Sequence, residues 1–155
     1  MQKTRVKVIG GGLAGCEAAL QLASYGFLID LYEMRPKVNT PAHRGGDLAQ
    51  LVCSNSFKGI AKTTAHGLLK NVLTLLGSFL IELAKEAQVP AGESLTVNRE
   101  IFSALVEKKI LECPAITLHR EEVTSLEDDL PTLVAAGPLA SESLTNSIFK
   151  VLIKS

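Results

Sequence analysis

The order of apolar and polar residues near the start of the chain predicts a strand, a helix and a second strand. Val6 to Ile9 is a short β-branched run that ends at three glycines, which is typical of a buried strand. From Leu13 to Tyr25 small and apolar residues recur at helical spacing, and Gly26 then predicts the helix end. Phe27 to Tyr32 follows as a second strand. Lys3 to Arg35 is therefore predicted to form one βαβ unit with a right-handed crossover.

The pattern after this unit predicts a mixed α/β chain with a parallel sheet. Residues 34–63 are rich in proline, glycine and polar residues and predict a long loop, which inside a compact domain is usually functional or disordered. Amphipathic spacing predicts one helix from Gly67 to Ala87. Asn98 predicts the N-cap of a helix from Arg99 to Leu111. Leu133 to Ala136 predicts a further short, buried strand.

Composition and charge narrow the class of protein. Of the 155 residues, 46% are apolar, so we expect a folded core rather than disorder. The 16 basic and 16 acidic residues cancel, which leaves no electrostatic footprint for nucleic acid in this segment. Three cysteines without a CxxC pair indicate neither a disulfide framework nor a zinc site. We expect reduced thiols, no metal, no membrane segment and a cytoplasmic location.

The glycine-rich turn after the first strand predicts a phosphate-binding site. The run Gly10-Gly11-Gly12-Leu13-Ala14-Gly15 fits the pattern G-x-G-x-x-G. Its first glycine permits the tight turn, its second lets backbone N–H groups approach a pyrophosphate, and its third lets the helix pack close to the strand. The N-terminus of the following helix adds N–H donors and a partial positive charge. We therefore predict that this turn binds a dinucleotide.

Glu33, at the end of the second strand, is the predicted ribose-binding residue. It follows Gly15 by 18 residues, a position from which a carboxylate can accept both hydrogen bonds from the adenosine ribose. A carboxylate there argues against a ribose 2′-phosphate because the two charges would repel. The spacing leaves the choice between FAD and NAD open. The predicted strand that ends at Gly137 favours FAD, because many flavoproteins return the chain to the cofactor at such a place.

Several longer motifs resemble one family. They are Leu31-Tyr32-Glu33-Met34-Arg35-Pro36, Thr40-Pro41-Ala42-His43, Leu51-Val52-Cys53-Ser54-Asn55-Ser56, Val89-Pro90-Ala91-Gly92 and the segment from Gly137 to Leu144. Together they resemble the folate- and FAD-dependent tRNA uracil-5-methyltransferases, the TrmFO family, once called Gid. The larger GidA-type flavoproteins that modify tRNA are similar in the first 35 residues but not in the motif around Cys53.

The resemblance implies a methyltransferase that takes its one-carbon unit from methylenetetrahydrofolate. FAD is the implied cofactor, NAD(P)H the implied reductant, and C5 of a T-loop uridine in tRNA the implied acceptor. The glycine turn from Gly10 to Gly15 and Glu33 receive the FAD-binding role. Cys53 receives a catalytic role in the covalent chemistry between the flavin-borne carbon and uracil. Contacts with tRNA are expected to lie outside this segment.

The residue-level case for Cys53 is consistent with that role. C5 of uracil is a poor nucleophile until a thiolate adds at C6, so such chemistry needs an exposed thiol of lowered pKa. Cys53 lies in the predicted polar loop, beside two serines and an asparagine, rather than in an apolar run. The alternative is a small buried hydrophobe, which is what most free cysteines are. His43 is a weaker candidate for contact with flavin or folate, and a solvated loop histidine is its alternative.

We expect the chain to be a truncated, Rossmann-like FAD-binding domain over residues 1–155, without the substrate domain of the family. An incomplete sheet of this kind is expected to expose an edge. Two other functions stay open. One is a non-catalytic remnant that binds a dinucleotide weakly or not at all. The other is a generic FAD- or NAD(P)-dependent oxidoreductase domain, which explains the βαβ unit but not the motif around Cys53.

Overall fold

A computed structural model describes residues 4–126 and 129–154 of the chain. Lys3, the first residue of the predicted βαβ unit, lies outside these ranges. The described chain begins with a strand, a helix and a second strand, and further strands and helices follow. In chain order the elements are β1 Arg5–Ile9, α1 Leu13–Ser24, β2 Leu28–Tyr32, β3 Ser56–Gly59, α2 Ala65–Leu75, α3 Phe79–Glu86, β4 Gln88–Val89, β5 Ser94–Val97, α4 Arg99–Leu111, β6 Ile116–His119, β7 Thr132–Val134, a 3₁₀ turn Gly137–Leu139 and α5 Glu142–Lys154.

A parallel sheet with the strand order β6–β2–β1–β7 is the centre of the fold. Val8 of β1 lies opposite Leu31 of β2 on one side and Leu133 of β7 on the other. From β1 the chain moves outward through β2 to β6 and then returns to the opposite side of β1 for β7. Because the strand order reverses at β1, the carboxyl ends of β1 and β7 flank the crevice where open α/β sheets bind ligands. The predicted α/β class with a Rossmann-like parallel sheet is confirmed.

One face of this sheet forms the core. Val8 of β1 and Ile29 and Leu31 of β2 are fully buried, and burial of each such side chain stabilises the fold by about 1.5–3 kcal/mol relative to exposure. The same cluster includes side chains from the helices that cover this face, namely Cys16, Ala19, Leu20, Phe102, Val106 and Ile110. Burial against α1 and α4 therefore holds the glycine turn, which joins β1 to α1, at a defined place.

Two helix ends lie where the sequence predicts them. α1 ends at Ser24, and Gly26 follows with φ +91°, the left-handed conformation that glycine adopts after a helix. The side-chain oxygen of Asn98 accepts hydrogen bonds of 3.0 and 3.1 Å from the N–H groups of Glu100 and Ile101 at the start of α4. Both capping predictions are confirmed.

The prediction of a single helix from Gly67 to Ala87 is wrong. The structure has two helices, α2 and α3, which meet at an angle of 112°. Gly77 takes φ +73° and ends the first, and the hydroxyl of Ser78 caps the second. Glu17 of α1 also accepts hydrogen bonds from Ser78 and from the first two N–H groups of α3. Within the described ranges no single helix is long and apolar enough to cross a membrane, and only this bent pair satisfies length and composition jointly.

Two strands differ from the prediction. β3 lies inside the segment predicted as loop, and it pairs with β5 in a small antiparallel sheet of order β3–β5–β4. The sequence SFKG has a single large apolar residue, so it shows no alternation for the pattern to detect. β7 forms close to the predicted position, but it is not buried as the sequence predicts. Leu133 and Val134 are 42% and 39% exposed, because β7 is an edge strand of the sheet in the part of the chain that the structure describes.

Candidate functional site

A cleft opens at the carboxyl ends of β1 and β7, where the strand order reverses. Its cavity volume is about 80 Å³, which is smaller than the roughly 300–1,000 Å³ typical of drug-sized ligand sites. The glycine turn, the end of β2 and the exit of β7 supply its walls. The lining residues that matter for the site are Gly10, Gly12, Glu33, Arg35, Ala135 and Ala136. The structure thus brings the predicted glycine turn and the predicted ribose-binding residue together in one cleft.

Two glycines of the turn are required by close backbone contacts. Gly10 has φ +108°, and a Cβ atom there would lie 2.6 Å from the carbonyl oxygen of Ala135. A Cβ atom on Gly15 would lie 1.8 Å from the carbonyl oxygen of Gly10. Both separations are shorter than a real Cβ contact, and backbone atoms cannot move aside as a flexible side chain can. Gly10 and Gly15 therefore shape the tight turn and the close helix packing that the pattern predicts.

Gly12 has open surroundings instead. No atom lies within 4 Å of the position a Cβ atom would take, and its φ of −76° suits any residue. Gly12 is the N-cap of α1, and no side chain caps this end of the helix. The first turn of α1 also contains no acidic residue. The N–H groups of Leu13 and Ala14 in that turn have no acceptor within the helix. This open space before a helix N-terminus fits a pyrophosphate, which can approach the backbone without meeting a side chain.

Gly11 contacts Glu33, a role that the ligand pattern does not assign to it. Its N–H donates a hydrogen bond of 2.9 Å to Oε2 of Glu33. A Cβ atom on Gly11 would lie 2.8 Å from that oxygen and 2.5 Å from Cδ2 of Leu48. A side chain at the x position of G-x-G would therefore require the side chains of Glu33 and Leu48 to shift.

The carboxylate of Glu33 is buried and already has three protein donors. Besides the bond from Gly11, its Oε1 accepts the backbone N–H and the Nε–H of Arg35 at 2.9 and 2.8 Å. A carboxylate offers about four acceptor positions, so one position, on Oε2, is left for a ribose hydroxyl. Burial raises the pKa of the Glu33 carboxyl, but the hydrogen bonds and charge of Arg35 and the bond from Gly11 outweigh it, so the pKa lies below its ordinary value of 4.5.

Arg35 connects the carboxylate of Glu33 to residues 34–55, the segment that we call the Cys53 loop. Its side chain is only 3% exposed. Nη2 donates to the carbonyl oxygen of Asp47 at 3.1 Å, and Nη1 lies 3.4 Å from Oε1 of Gln50. The backbone N–H of Ala49 in turn donates to the carbonyl oxygen of Gly11 at 2.8 Å. One face of the Cys53 loop is therefore bonded directly to the glycine turn.

Residues from α4 and from the end of β6 hold the other side of the loop. Arg120 donates to the carbonyl oxygens of Arg35 and Gly46 and forms a 2.7 Å ion pair with Glu107. Glu107 also accepts the backbone N–H of Leu48 at 3.3 Å. The long predicted loop is thus an ordered segment, because distant side chains satisfy its backbone groups.

Cys53 is the exposed thiol of the three. In the described part of the chain it is not among the residues that line the cleft. Its neighbours Leu51 and Val52 line a second depression, together with Arg99 and Ser103 at the start of α4. Cys53 is therefore not a buried hydrophobe, and it lies outside the set of residues that line the cleft.

Cys16 and His43 have different surroundings: Cys16 lies in the core and His43 in the cleft. Cys16 is fully buried, and burial, followed by the charge of Glu33, raises the pKa of its thiol to about 12. His43 lines the cleft, with its Nδ1 2.6 Å from the hydroxyl oxygen of Thr40. Burial and the charge of Arg35 lower the pKa of His43 below its ordinary value, so its ring is neutral at pH 7. His43 is therefore a cleft residue rather than a solvated loop histidine.

Sequence reasoning missed Arg35 as a cleft residue, whereas it expected the strand that contains Ala135 and Ala136 to return the chain to the cofactor. Arg35 stands two residues after Glu33 inside a motif already noted, and this spacing was the available signal. The two alanines carry no chemical signal, because they contribute backbone and small side chains. Over the described ranges, no group of three or more His, Cys, Asp or Glu side chains is placed to hold a metal ion.

Comparison of the chain with known proteins identifies one matching family and several similar proteins. Residues 5–146 match the protein family described as glucose inhibited division protein A. A methylenetetrahydrofolate–tRNA-(uracil-5-)-methyltransferase TrmFO from Aquifex aeolicus is 53% identical over 146 residues, which are 94% of this chain and 33% of that protein. A protein of the same name from Syntrophomonas wolfei is 50% identical over 147 residues, 95% of this chain and 34% of that protein. The chain thus spans about a third of the length of the curated relatives it matches.

A solved structure of the peptidyl tryptophan dihydroxylase QhpG is a weaker match. It is 18% identical, with a TM-score of 0.38 over 76% of this chain and 25% of that one.

Proposed function

This chain belongs to the family of glucose inhibited division protein A, and we propose that it is the FAD-binding part of a folate- and FAD-dependent tRNA uracil-5-methyltransferase. One observation carries the proposal. About half of the residues are identical to two proteins with that methyltransferase name, across 94% and 95% of this chain. The proposal includes methylenetetrahydrofolate and NAD(P)H as co-substrates, a tRNA substrate and a cytoplasmic location.

The cleft supports the FAD part of the proposal. The turn from Gly10 to Gly15 would hold the pyrophosphate at the open space beside Gly12, with the N–H groups of Leu13 and Ala14 as donors. Oε2 of Glu33 would accept one ribose hydroxyl, which is one bond fewer than the sequence predicts. The backbone at Ala135 and Ala136 closes the cleft on the side of β7. FAD, when bound, would supply the redox chemistry of the one-carbon transfer.

Cys53 supports the transferase part of the proposal. A tRNA base is presented by a large substrate, so a thiol that reacts with it has to be reachable from outside the protein, and Cys53 is exposed. Addition of its thiolate to C6 of uracil would break the C5–C6 double bond and make C5 nucleophilic. The alternatives are a generic oxidoreductase domain and a non-catalytic remnant, and the experiments below distinguish them.

The first experiment tests FAD binding with a glycine pair. Gly12→Ala places a methyl group in the open space, so we expect unchanged stability and at least a tenfold loss of FAD affinity, measured by flavin fluorescence. Gly59→Ala is the matched control, because a Cβ atom there meets its neighbours at ordinary contact distances of 3.8 and 3.9 Å. A chain that binds no FAD, or a Gly12→Ala variant that binds it as the wild type does, would overturn the cofactor assignment.

The second experiment tests group transfer. The chain is supplied with FAD, NAD(P)H, labelled methylenetetrahydrofolate and a tRNA transcript, and methylated uridine is quantified. Any methylation should be abolished by Cys53→Ser and retained by Cys113→Ser, a half-buried cysteine used as control. FAD binding without any methylation would reject the transferase activity of this chain and favour the remnant. Methylation that survives Cys53→Ser would reject the role of Cys53.

A further inference from the structure

Arg35 occupies a position where two parts of the molecule are joined through one side chain. Its Nε donates to Glu33 and its Nη2 to the carbonyl oxygen of Asp47, at 2.8 and 3.1 Å. These bonds come from two nitrogens of one planar guanidinium and reach two different residues, and the side chain is almost completely buried. A lysine could supply the charge but only from a single point.

The contacts around Arg35 form a closed circuit. Gly11 donates to Glu33, Glu33 accepts from Arg35, and Arg35 donates to Asp47. Two residues after Asp47, the N–H of Ala49 donates back to the carbonyl oxygen of Gly11. Leu48 and Ala49 are fully buried within this circuit. The glycine turn and the segment 47–49 therefore cannot separate without breaking a buried hydrogen bond.

We propose that Arg35 is a positioning residue that couples occupancy of the dinucleotide site to the placement of the Cys53 loop. The proposal rests on the proposed function, since it assumes that the cleft binds a dinucleotide at Gly12 and Glu33. A ligand that bonds to the free position on Oε2 of Glu33 holds the carboxylate in the geometry that Arg35 requires. Arg35 in turn holds Asp47, six residues before Cys53. Cofactor binding thereby stabilises the placement of the segment that presents the thiol.

Linkage sets the size of the expected effect. If the segment 47–49 opens only when the ligand is absent, saturating ligand slows the opening by the factor 1 + [L]/Kd, about 100-fold at a hundred times Kd. The N–H groups of Leu48 and Ala49 report on this opening, because each donates a hydrogen bond that opening breaks. ADP is a suitable probe, because it carries the ribose and pyrophosphate that the cleft contacts would bind.

The experiment measures hydrogen exchange at Leu48 and Ala49 with and without saturating ADP. We expect about 100-fold protection in the wild-type chain and less than about threefold in Arg35→Lys, which retains the charge but not the forked contacts. Arg5→Gln is the matched control, because Arg5 also pairs with a carboxylate, that of Asp30, at 2.8 Å but contacts no residue of the Cys53 loop. It is expected to behave as the wild type. The alkylation rate of Cys53 in a Cys113→Ser background should respond to ADP in the same pattern.

Two results would overturn the coupling: bound ADP that leaves exchange at Leu48 and Ala49 unchanged, or an Arg35→Lys variant that matches the wild type. A wild-type chain that binds neither ADP nor FAD overturns the proposed function instead. In that case exchange in the free chain still decides the inference. Arg35→Lys must then accelerate exchange at Gly11 and Ala49 together, and acceleration at only one of them rejects the circuit.

Discussion

The glycine turn and the Cys53 loop meet at the same carboxylate, that of Glu33, yet different forces hold them in place. The turn is held by steric fit, since a Cβ atom at Gly10 or Gly15 would overlap backbone atoms. The loop is held by hydrogen bonds from side chains to its backbone, from Arg35 within it and from Arg120 outside it.

The two kinds of contact also differ in their reach along the chain. The atoms that restrict Gly15 belong to Gly10, only five residues away, whereas those that restrict Gly10 belong to the distant Ala135 and Ala136. The partners of the Cys53 loop on α4 and β6 lie 59 to 85 positions further along the chain. A local contact therefore accounts for Gly15, whereas Gly10 and the Cys53 loop are restricted by parts of the chain that only folding brings near.

The largest expected effect comes from the residue that both regions share. Glu33→Gln removes the partner of a buried guanidinium and weakens the contact with Gly11, so we expect a loss of about 3 kcal/mol in the free energy of unfolding. Chemical denaturation measures it. Glu112→Gln, in an exposed pair with Lys108 at 3.9 Å, is the control and should change stability by less than about 0.5 kcal/mol. Equal losses in the two variants would show that Glu33 does not join the regions.

The pH dependence of stability follows from the same carboxylate. In the folded chain the pKa of Glu33 lies below its ordinary value of 4.5, so its contribution is fully present above that value and is lost as pH falls through the lower, folded pKa. The stability difference between wild type and Glu33→Gln should therefore shrink below about pH 4.5. Denaturation curves recorded from pH 7 downward test this, and a difference that grows on acidification would contradict it.

Gly15→Ala tests the steric half of the comparison. The new methyl group would lie 1.8 Å from the carbonyl oxygen of Gly10, and relief of such overpacking costs about 2 kcal/mol or more. Gly12→Ala is the control within the same turn, because its methyl group enters open space. Thermal unfolding of both variants gives the measurement. If the two alanines destabilise equally, close packing is not what shapes the turn.

Glu107→Ala tests the loop alone and has the smallest expected effect. It removes a half-exposed ion pair with Arg120 and the acceptor for the N–H of Leu48, for which we expect a loss of about 1 kcal/mol. Lys108→Ala, an exposed neighbour on α4, serves as the control and should be near neutral. A loss larger than that of Gly15→Ala would reverse the comparison, because the loop would then depend on its contacts more strongly than the turn does.

Local signals account for the parts of the fold and site that were predicted correctly. The βαβ unit follows from strand and helix periodicity, and Gly26 and Asn98 mark helix ends through their own conformation and hydrogen bonds. The placement of Glu33 in the same cleft as the glycine turn follows from the parallel pairing of β1 and β2. Each of these inferences depends on residues close together in the chain or on one rule of topology.

The wrong predictions share a different cause. Helical periodicity continues across Gly77, so the sequence predicted one helix. In the structure the left-handed conformation of Gly77 ends α2, and Glu17 of α1 caps the start of α3. The apolar composition of β7 indicated burial, but its position at a sheet edge exposes it. In the first case Glu17 is the distant neighbour that changes the outcome, and in the second β7 has no further strand beside it in the described sheet. A local pattern cannot show either.

By itself the sequence determined the βαβ unit, the glycine motif and the carboxylate that follows it, because periodicity and motif spacing act over a few tens of residues. Only the tertiary structure decided that Glu33 has one free acceptor position, that a side chain at Gly11 would displace Glu33 and Leu48, and that Cys53 lies outside the cleft lining. Those features depend on Arg35, Leu48 and Arg120 reaching one another across the fold, and the geometry of such contacts exists only once the core has brought distant segments together.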